Sequence, residues 1–189
     1  MTPRFPIDEA ADPAAGKFIE EALNVMHNGP PPFKWKEDDG RSLIACYAPL
    51  CYTPEITKLF FELAKIAYRP DNVKPRNREL AIMGLCSILN VPYVVYSHRG
   101  VAEHAGLTKE QYDEGLKGKV PQGLTEEEEM AYRLGRILTV QTRPLDDQTW
   151  QEITAKVNKT EFVGILHVIA GYRWIALLEH ANGEDQRWK

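Results

Sequence analysis

Apolar side chains recur along most of the chain every three or four residues, a spacing typical of amphipathic helices. Signals for β-strands are nearly absent. The one β-prone hexamer, Val91 to Tyr96, lies inside a frame that opens on Pro92 and closes on Gly106, as helices do. The sequence therefore predicts an all-α fold. Beyond residue 40 the predicted helices cover about 41–49, 56–67, 76–90, 92–105, 108–116, 125–140, a segment starting at 146 or 147, and 160–181.

Helix starts are marked by side chains that accept hydrogen bonds from the first turn. Thr108 precedes Gln111 by three residues and Thr125 precedes Glu128 by three, the spacing of a capping box. Asn158 is a good N-cap residue and has the same spacing to Glu161. These pairs predict where three of the helices begin.

The first forty residues differ from the rest. A helical pattern over 14–28 is followed by Gly29 and three prolines, which lack the amide donors a helix needs. An extended arm and the acidic turn 37–40 come next. We predict a division into an N-terminal helix with a Pro-rich arm, residues 1–40, and a helical domain, residues 41–189.

The amino-acid composition excludes several classes of function. The 189 residues carry a net charge of −4, which argues against nucleic-acid binding, and only three cysteines, too few for a disulfide framework. No apolar run approaches the about 20 residues of a membrane span, and the N-terminus lacks a secretory signal. We expect a cytoplasmic protein without membrane contact. The five histidines show no metal-ligand spacing, so no metal and no cofactor are expected.

The most informative pattern spans two consecutive helices. Glu79 lies in line with the apolar stripe of the first, and His98 in line with that of the second. The connection around Asn90 is short, so the helices are expected to be antiparallel neighbours. A carboxylate beside an imidazole in an apolar setting suits proton transfer. The alternative is a structural core pair, or an ion pair from Glu79 to Arg76 or Arg78.

Around these residues the chain resembles a known family. The segment 78–108 reads RELAIMGLCSILNVPYVVYSHRGVAEHAGLT. Its Arg-Glu-Leu start, the Tyr five residues before His98 and the His-x-x-x-Ala-x-x-x-Gly-Leu-Thr pattern resemble the carboxymuconolactone decarboxylase family, in the alkylhydroperoxidase D-like superfamily. The resemblance covers about residues 41–181, and its specific part is 76–108. It implies a bundle of about six to eight helices that assembles into trimers or hexamers.

The family's peroxidase branch has a Glu, a Cys-x-x-Cys pair and a His. The resemblance carries the Glu onto Glu79 and the His onto His98, but the two Cys positions fall on Val91 and Val94. A thiol peroxidase needs both sulfurs, so this chain is expected to lack that activity. A thiol oxidoreductase using Cys46 and Cys51 ranks low as well, because their spacing matches no redox motif.

The decarboxylase branch has Tyr-Glu-Trp before its His, whereas this chain has Tyr93 followed by two valines. The resemblance implies a cofactor-independent lyase, a decarboxylase or an isomerase, acting on a small carboxylated lactone or a related enolisable compound, with His98 and Glu79 as the catalytic pair. The alternative is a non-catalytic helical oligomer that binds a small apolar ligand or a partner. The candidate substrate contacts are Arg78, Cys86, Tyr93, Val94, Tyr96 and Arg99. The long apolar helix over 162–178 is expected at the centre or at a subunit interface.

Overall fold

The computed structural model describes residues 4–183 and 185–188, and helices make up most of this part of the chain. Within this part of the chain no β-strand forms beyond an isolated bridge between Lys36 and Leu43. The predicted all-α fold is thereby confirmed. The α-helices are α1 (Ala14–His27), α2 (Pro54–Ala67), α3 (Pro75–Cys86), α4 (Pro92–His104), α5 (Lys109–Leu116), α6 (Glu126–Val140), α7 (Asp147–Thr154) and α8 (Lys159–Asn182), and two 3₁₀ helices cover Ala45–Tyr52 and Asp185–Trp188.

The predicted helix starts are seen as hydrogen bonds. The hydroxyls of Thr108 and Thr125 accept from the backbone N–H three residues on, and the side chains of Gln111 and Glu128 return the bond, so both capping boxes are complete. Asn158 accepts from the backbone N–H of Glu161 at 2.9 Å. The Glu161 carboxylate does not complete a third box, because it instead accepts from the backbone of Lys74 and the side chain of Asn77.

Two predicted helix bounds were wrong. The segment predicted as a helix over 41–49 forms a 3₁₀ helix over Ala45–Tyr52 that contains Pro49. Helix α3 ends at Cys86 rather than near Asn90. There the Ser87 hydroxyl donates to the carbonyl of Gly84 and accepts from Arg136 at 2.5 Å. These side-chain bonds offer the chain an alternative to continuing the helix.

The chain divides into two compact units. The first contains the described residues up to 66, residues 91–97 and those from 174 onward. Helix α1 and the 3₁₀ helix at 45–52 pack together in it. Its core includes the fully buried side chains of Ile19, Ile44, Leu50 and Tyr93. The predicted boundary at residue 40 stays a prediction.

The second unit contains residues 67–90 and 98–173. Helix α3 packs against α5 and α6 in it. The contact with α6 is close because both helices place a glycine there. A Cβ on Gly135 would collide with the carbonyl oxygen of Ala81, and a Cβ on Gly84 would collide with the carbonyl oxygen of Tyr132. The fully buried side chains of this core include Leu80, Ile82, Met83, Leu85, Tyr132, Leu134, Ile153 and Ile165.

Helices α2 and α8 each keep several large apolar side chains at the surface. On α2, four residues at spacings of three and four are 48–70% exposed: Ile56, Leu59, Leu63 and Ile66. On α8, Ile165 and Val168 are buried whereas Val163, Leu166 and Leu177 are exposed, so this helix is only partly buried. By length and composition α8 meets a criterion for a membrane span that the core helices of soluble proteins also meet.

Candidate active site

The candidate site is built around Glu79, which lies in the most buried stretch of the second unit. Helix α3 opens on Pro75, whose missing N–H costs nothing at a first helical position. Every residue from 77 to 85 is buried, because α5 and α6 cover the helix on different sides. Glu79 is only 1% exposed. A carboxylate at such a depth needs partners for both oxygens.

His98 on α4 is the first partner. Its Nδ1 lies 2.7 Å from Oε2 of Glu79, and His98 is itself buried. The sequence predicted that these two side chains would meet, and they do. An ionised carboxylate only accepts hydrogen bonds, so the tautomer of the neutral imidazole that it favours has the proton on Nδ1 and a lone pair on Nε2.

Arg78 is the second partner. Its Nε donates to Oε1 of Glu79 at 2.9 Å, and its Nη1 donates to the backbone carbonyl of Tyr68 at 3.2 Å. The guanidinium also lies 4.0 Å from the centre of the Tyr68 ring, a cation–π contact. Arg78 was predicted as a substrate contact. In the structure it is buried, with its donors directed at groups of this chain.

The charges of the site set the protonation state of Glu79. Burial acts most strongly and raises the pKa of this carboxyl, but His98 and then Arg78 together outweigh it, so the pKa lies below its ordinary value. Burial lowers the pKa of Arg78, but the charge of Glu79, the neighbouring Tyr68 and the hydrogen bond to Glu79 together outweigh that effect, so the pKa is raised. Glu79 and Arg78 therefore form a buried ion pair at neutral pH.

Two tyrosines complete the site, and sequence reasoning missed both. The Tyr172 hydroxyl, on α8, lies 2.6 Å from Nε2 of His98, and the Tyr68 hydroxyl lies 2.5 Å from that of Tyr172. Chain separations of 74 residues from His98 to Tyr172 and 104 from Tyr68 to Tyr172 leave no local spacing that could have joined them.

The five side chains form a closed ring of contacts within the second unit. Starting from Arg78, it runs through Glu79, His98, Tyr172 and Tyr68, whose backbone carbonyl and ring hold the guanidinium. Each member thus fixes the position of the next. Such a ring is suited to moving a proton between fixed atoms.

Two further predicted contacts also lie in the second unit. Cys86 is half-buried at the end of α3. Arg99, beside His98 in sequence, has a side chain that is 48% exposed, pairs with Asp113 at 3.0 Å and lies 5.1 Å from the centre of the Tyr112 ring. Burial, and then the nearby thiol of Cys86, raise the pKa of Tyr112.

Tyr93, Val94 and Tyr96 belong to the first unit. Tyr93 is buried and its hydroxyl donates to the carbonyl of Lys34 at 2.7 Å, while Val94 is buried in the same core. Tyr96 is partly exposed, and its ring centre lies 4.8 Å from that of Trp188. These three side chains thus pack within this unit, and their role as substrate contacts stays a prediction.

No disulfide joins the cysteines of the chain: Cys46 and Cys51 are buried and Cys86 is half-buried. Burial raises the pKa of the Cys51 thiol, which opposes the thiolate that redox chemistry requires. Among residues 4–183 and 185–188, no three His, Cys, Asp or Glu side chains are grouped so that they could hold a metal ion.

The fold and the buried carboxylate–imidazole pair define an all-α protein with a potential acid–base site. Residues 54–136 match the model of the carboxymuconolactone decarboxylase family. This match confirms the resemblance seen in the sequence. Tyr68, Arg78, Glu79 and His98 lie inside the match, and Tyr172 lies beyond it. No curated protein and no solved structure shows significant similarity to the chain.

Proposed function

We propose that this protein is a cofactor-independent lyase, a decarboxylase or an isomerase, that acts by acid–base chemistry on a small carboxylated lactone or a related enolisable compound. One observation supports this most: Nδ1 of His98 lies 2.7 Å from a buried Glu79 carboxylate, within the segment that matches the family. The other possibility from the sequence, a non-catalytic oligomer that binds an apolar ligand, becomes an outcome of the test.

The proposed chemistry requires a group that gives a proton to carbon. Loss of CO₂ sends an electron pair into a conjugated lactone, and the resulting dienolate is protonated on carbon. An isomerisation moves a proton between carbons through a similar enolate. The Glu79–His98 pair is suited to both, since the carboxylate fixes the tautomer of the imidazole and stabilises the imidazolium when it forms.

The two candidate arginines receive different roles. The Arg78 donors engage Glu79 and Tyr68, so we assign it to positioning the carboxylate. Arg99 is half-exposed and pairs with an aspartate at the surface, where ion pairs exchange readily. A substrate carboxylate can displace that aspartate, so Arg99 is the stronger candidate for substrate binding.

We further propose that the chain assembles with copies of itself, as trimers or hexamers, in keeping with what the resemblance implies. The exposed apolar residues of α2 support this proposal. A cytoplasmic location, a small-molecule substrate and the absence of membrane or nucleic-acid partners stay predictions.

The test measures CO₂ release and product formation from a panel of carboxylated lactones and β-keto acids. We expect turnover by the wild type and a loss of at least about 100-fold in His98→Ala, because a positioned acid–base group contributes about 10²–10⁴ in rate. His104→Ala is the matched control: the same change on the same helix, at an exposed imidazole bonded to the carbonyl of Gly100. It should keep wild-type activity.

Circular dichroism and melting temperatures establish that each variant is folded. Equal turnover by wild type and His98→Ala would contradict the proposed site. Thermal stabilisation by apolar ligands, without turnover of any compound, would instead support the binding protein.

A further inference from the structure

We propose that the Tyr172 hydroxyl is the group that exchanges a proton with the substrate, and that His98 acts through it. This inference rests on the proposed acid–base function and names a further catalytic residue for it. The inference is based on the position of the Tyr172 hydroxyl oxygen, which lies 2.6 Å from Nε2 of His98 and 2.5 Å from the Tyr68 hydroxyl oxygen.

The first argument is that both ring nitrogens of His98 are already engaged. Both ring nitrogens of His98 have a partner within hydrogen-bond distance, Nδ1 from Glu79 and Nε2 from Tyr172. The imidazole is also buried. A substrate therefore meets no unoccupied nitrogen while Tyr172 is in place. Tyr172 itself is only partly buried, so its hydroxyl is the better placed of the two groups for meeting a ligand.

The second argument is the direction of the hydrogen bonds. With Glu79 ionised, the neutral form of His98 carries its proton on Nδ1, and in that form Nε2 can only accept. The Tyr172 O–H must therefore donate to Nε2. The Tyr172 oxygen then accepts a hydrogen bond from the Tyr68 hydroxyl. Burial is the main cause that raises the pKa of Tyr68 to about 12, so this second phenol stays protonated at neutral pH. The direction of every hydrogen bond from Tyr68 through Tyr172 and His98 to Glu79 is thereby assigned.

This order makes Tyr172 the activated group. When its oxygen takes a proton from a substrate carbon, its own proton passes to Nε2 of His98, and the imidazolium formed is paired with Glu79. The substrate C–H bond breaks, its electron pair enters the enolate, and one O–H and one N–H bond form as the old O–H bond breaks. Reversal at a second carbon returns both protons, so an isomerisation balances without any further reactant.

A decarboxylation uses the same hydroxyl as an acid. The C–C bond to the carboxylate breaks, CO₂ leaves and the electron pair enters the dienolate. The dienolate carbon takes the Tyr172 proton, and the phenolate, which accepts from the Tyr68 O–H, regains a proton that water delivers through Nε2 of His98. The net reaction consumes one proton, as loss of CO₂ from a carboxylate requires.

The experiment removes single hydroxyls. Tyr172→Phe keeps the ring and deletes the proton donor. Tyr132→Phe is the matched control, because this buried phenol of the same unit donates to the carbonyl of Gly115 at 2.7 Å and not to a side chain of the site. Both are assayed beside the wild type and His98→Ala on the compound that the panel identifies. We expect Tyr172→Phe to lower kcat by at least about 100-fold, with KM changed less than about threefold, and Tyr132→Phe to keep wild-type kcat.

The dependence of kcat on pH distinguishes a catalytic role of Tyr172 from a structural one, because loss of a structural contact would not change that dependence. In the wild type kcat should depend on the ionisation of the Tyr172–His98 pair, and Tyr172→Phe should lose or shift that dependence. Wild-type kcat in Tyr172→Phe, or a rise in KM alone, would overturn the role of Tyr172 while a loss in His98→Ala left the proposed function standing. Equal activity in all four proteins, or no turnover by the wild type, would overturn both.

Discussion

At the scale of single residues, the charge on Glu79 is maintained by its two buried neighbours, His98 and Arg78, rather than by solvent. The folded protein holds the pKa of this carboxyl below its ordinary value of 4.5. The unfolded chain therefore takes up a proton first as the pH falls. The stability that the charge contributes is fully present above about pH 4.5 and is lost as the pH falls through the folded-state pKa.

Glu79→Gln tests this dependence. At pH 7 the variant should be less stable than the wild type by about 3–5 kcal/mol, because the buried Arg78 loses its counter-charge. Below pH 4.5 the difference in the free energy of unfolding should shrink, since the wild-type carboxyl is then being protonated. Urea unfolding at several pH values measures both quantities. Glu103→Gln, at an exposed position of α4, is the control and should follow the wild type throughout. A difference independent of pH would show that the Glu79 charge contributes nothing.

At the scale of helices, the α3–α6 contact depends on two glycines. A Cβ on Gly135 would meet the backbone of Ala81, which cannot move aside as a flexible side chain can. Gly135→Ala should therefore destabilise the protein by about 1–3 kcal/mol. Gly16→Ala is the matched control, because Gly16 lies in α1 and a Cβ there would meet nothing within 4 Å. It should instead stabilise by about 0.5–1 kcal/mol.

Denaturant unfolding of both glycine variants provides the comparison. If Gly135→Ala were as stable as the wild type, the helices would be separable without cost, and the close packing that buries Glu79 would not depend on this contact. A loss in both variants would point to a general sensitivity to alanine rather than to the crossing.

Helix starts were predictable because capping is local. Thr108 and Thr125 bond to groups three residues away, within reach of a sequence pattern. The bounds that were wrong depend on backbone or distant groups. Ala45, with φ of +50°, begins a 3₁₀ helix that no apolar period marks, and Arg136 binds Ser87 from 49 residues away, where α3 ends.

The residues of the candidate site also divide into those that the sequence could predict and those that it could not. Glu79 and His98 lie 19 residues apart on consecutive helices with a short connection, so helical periodicity sufficed to predict that they meet. Tyr68 follows α2 and Tyr172 lies on α8, and only the tertiary packing of the second unit brings them to the imidazole. A carboxylate–imidazole pair was therefore predictable, and the phenols that extend it to a ring were not.

At the scale of the whole molecule, α2 presents an apolar surface that the rest of the described chain leaves open. Ile56, Leu59, Leu63 and Ile66 follow the alternating three- and four-residue spacing of the a and d positions of a heptad, which places them on one side of the helix. A contiguous exposed apolar surface of this kind usually marks a site of association. A second copy of the chain is the occupant that the proposed self-assembly requires.

The double variant Leu59→Glu/Leu63→Glu tests that assembly. The wild type should elute as a trimer or hexamer in size-exclusion chromatography with light scattering, whereas the double variant should run as a smaller species, because the new charges would be buried unpaired in the interface. Val25→Glu, at an exposed apolar position of α1, is the control and should leave the mass unchanged. A monomeric wild type would contradict the proposed assembly. An unchanged oligomer in the double variant would place the interface elsewhere, and the exposed Val163 and Leu166 of α8 would then be the next apolar surface to test.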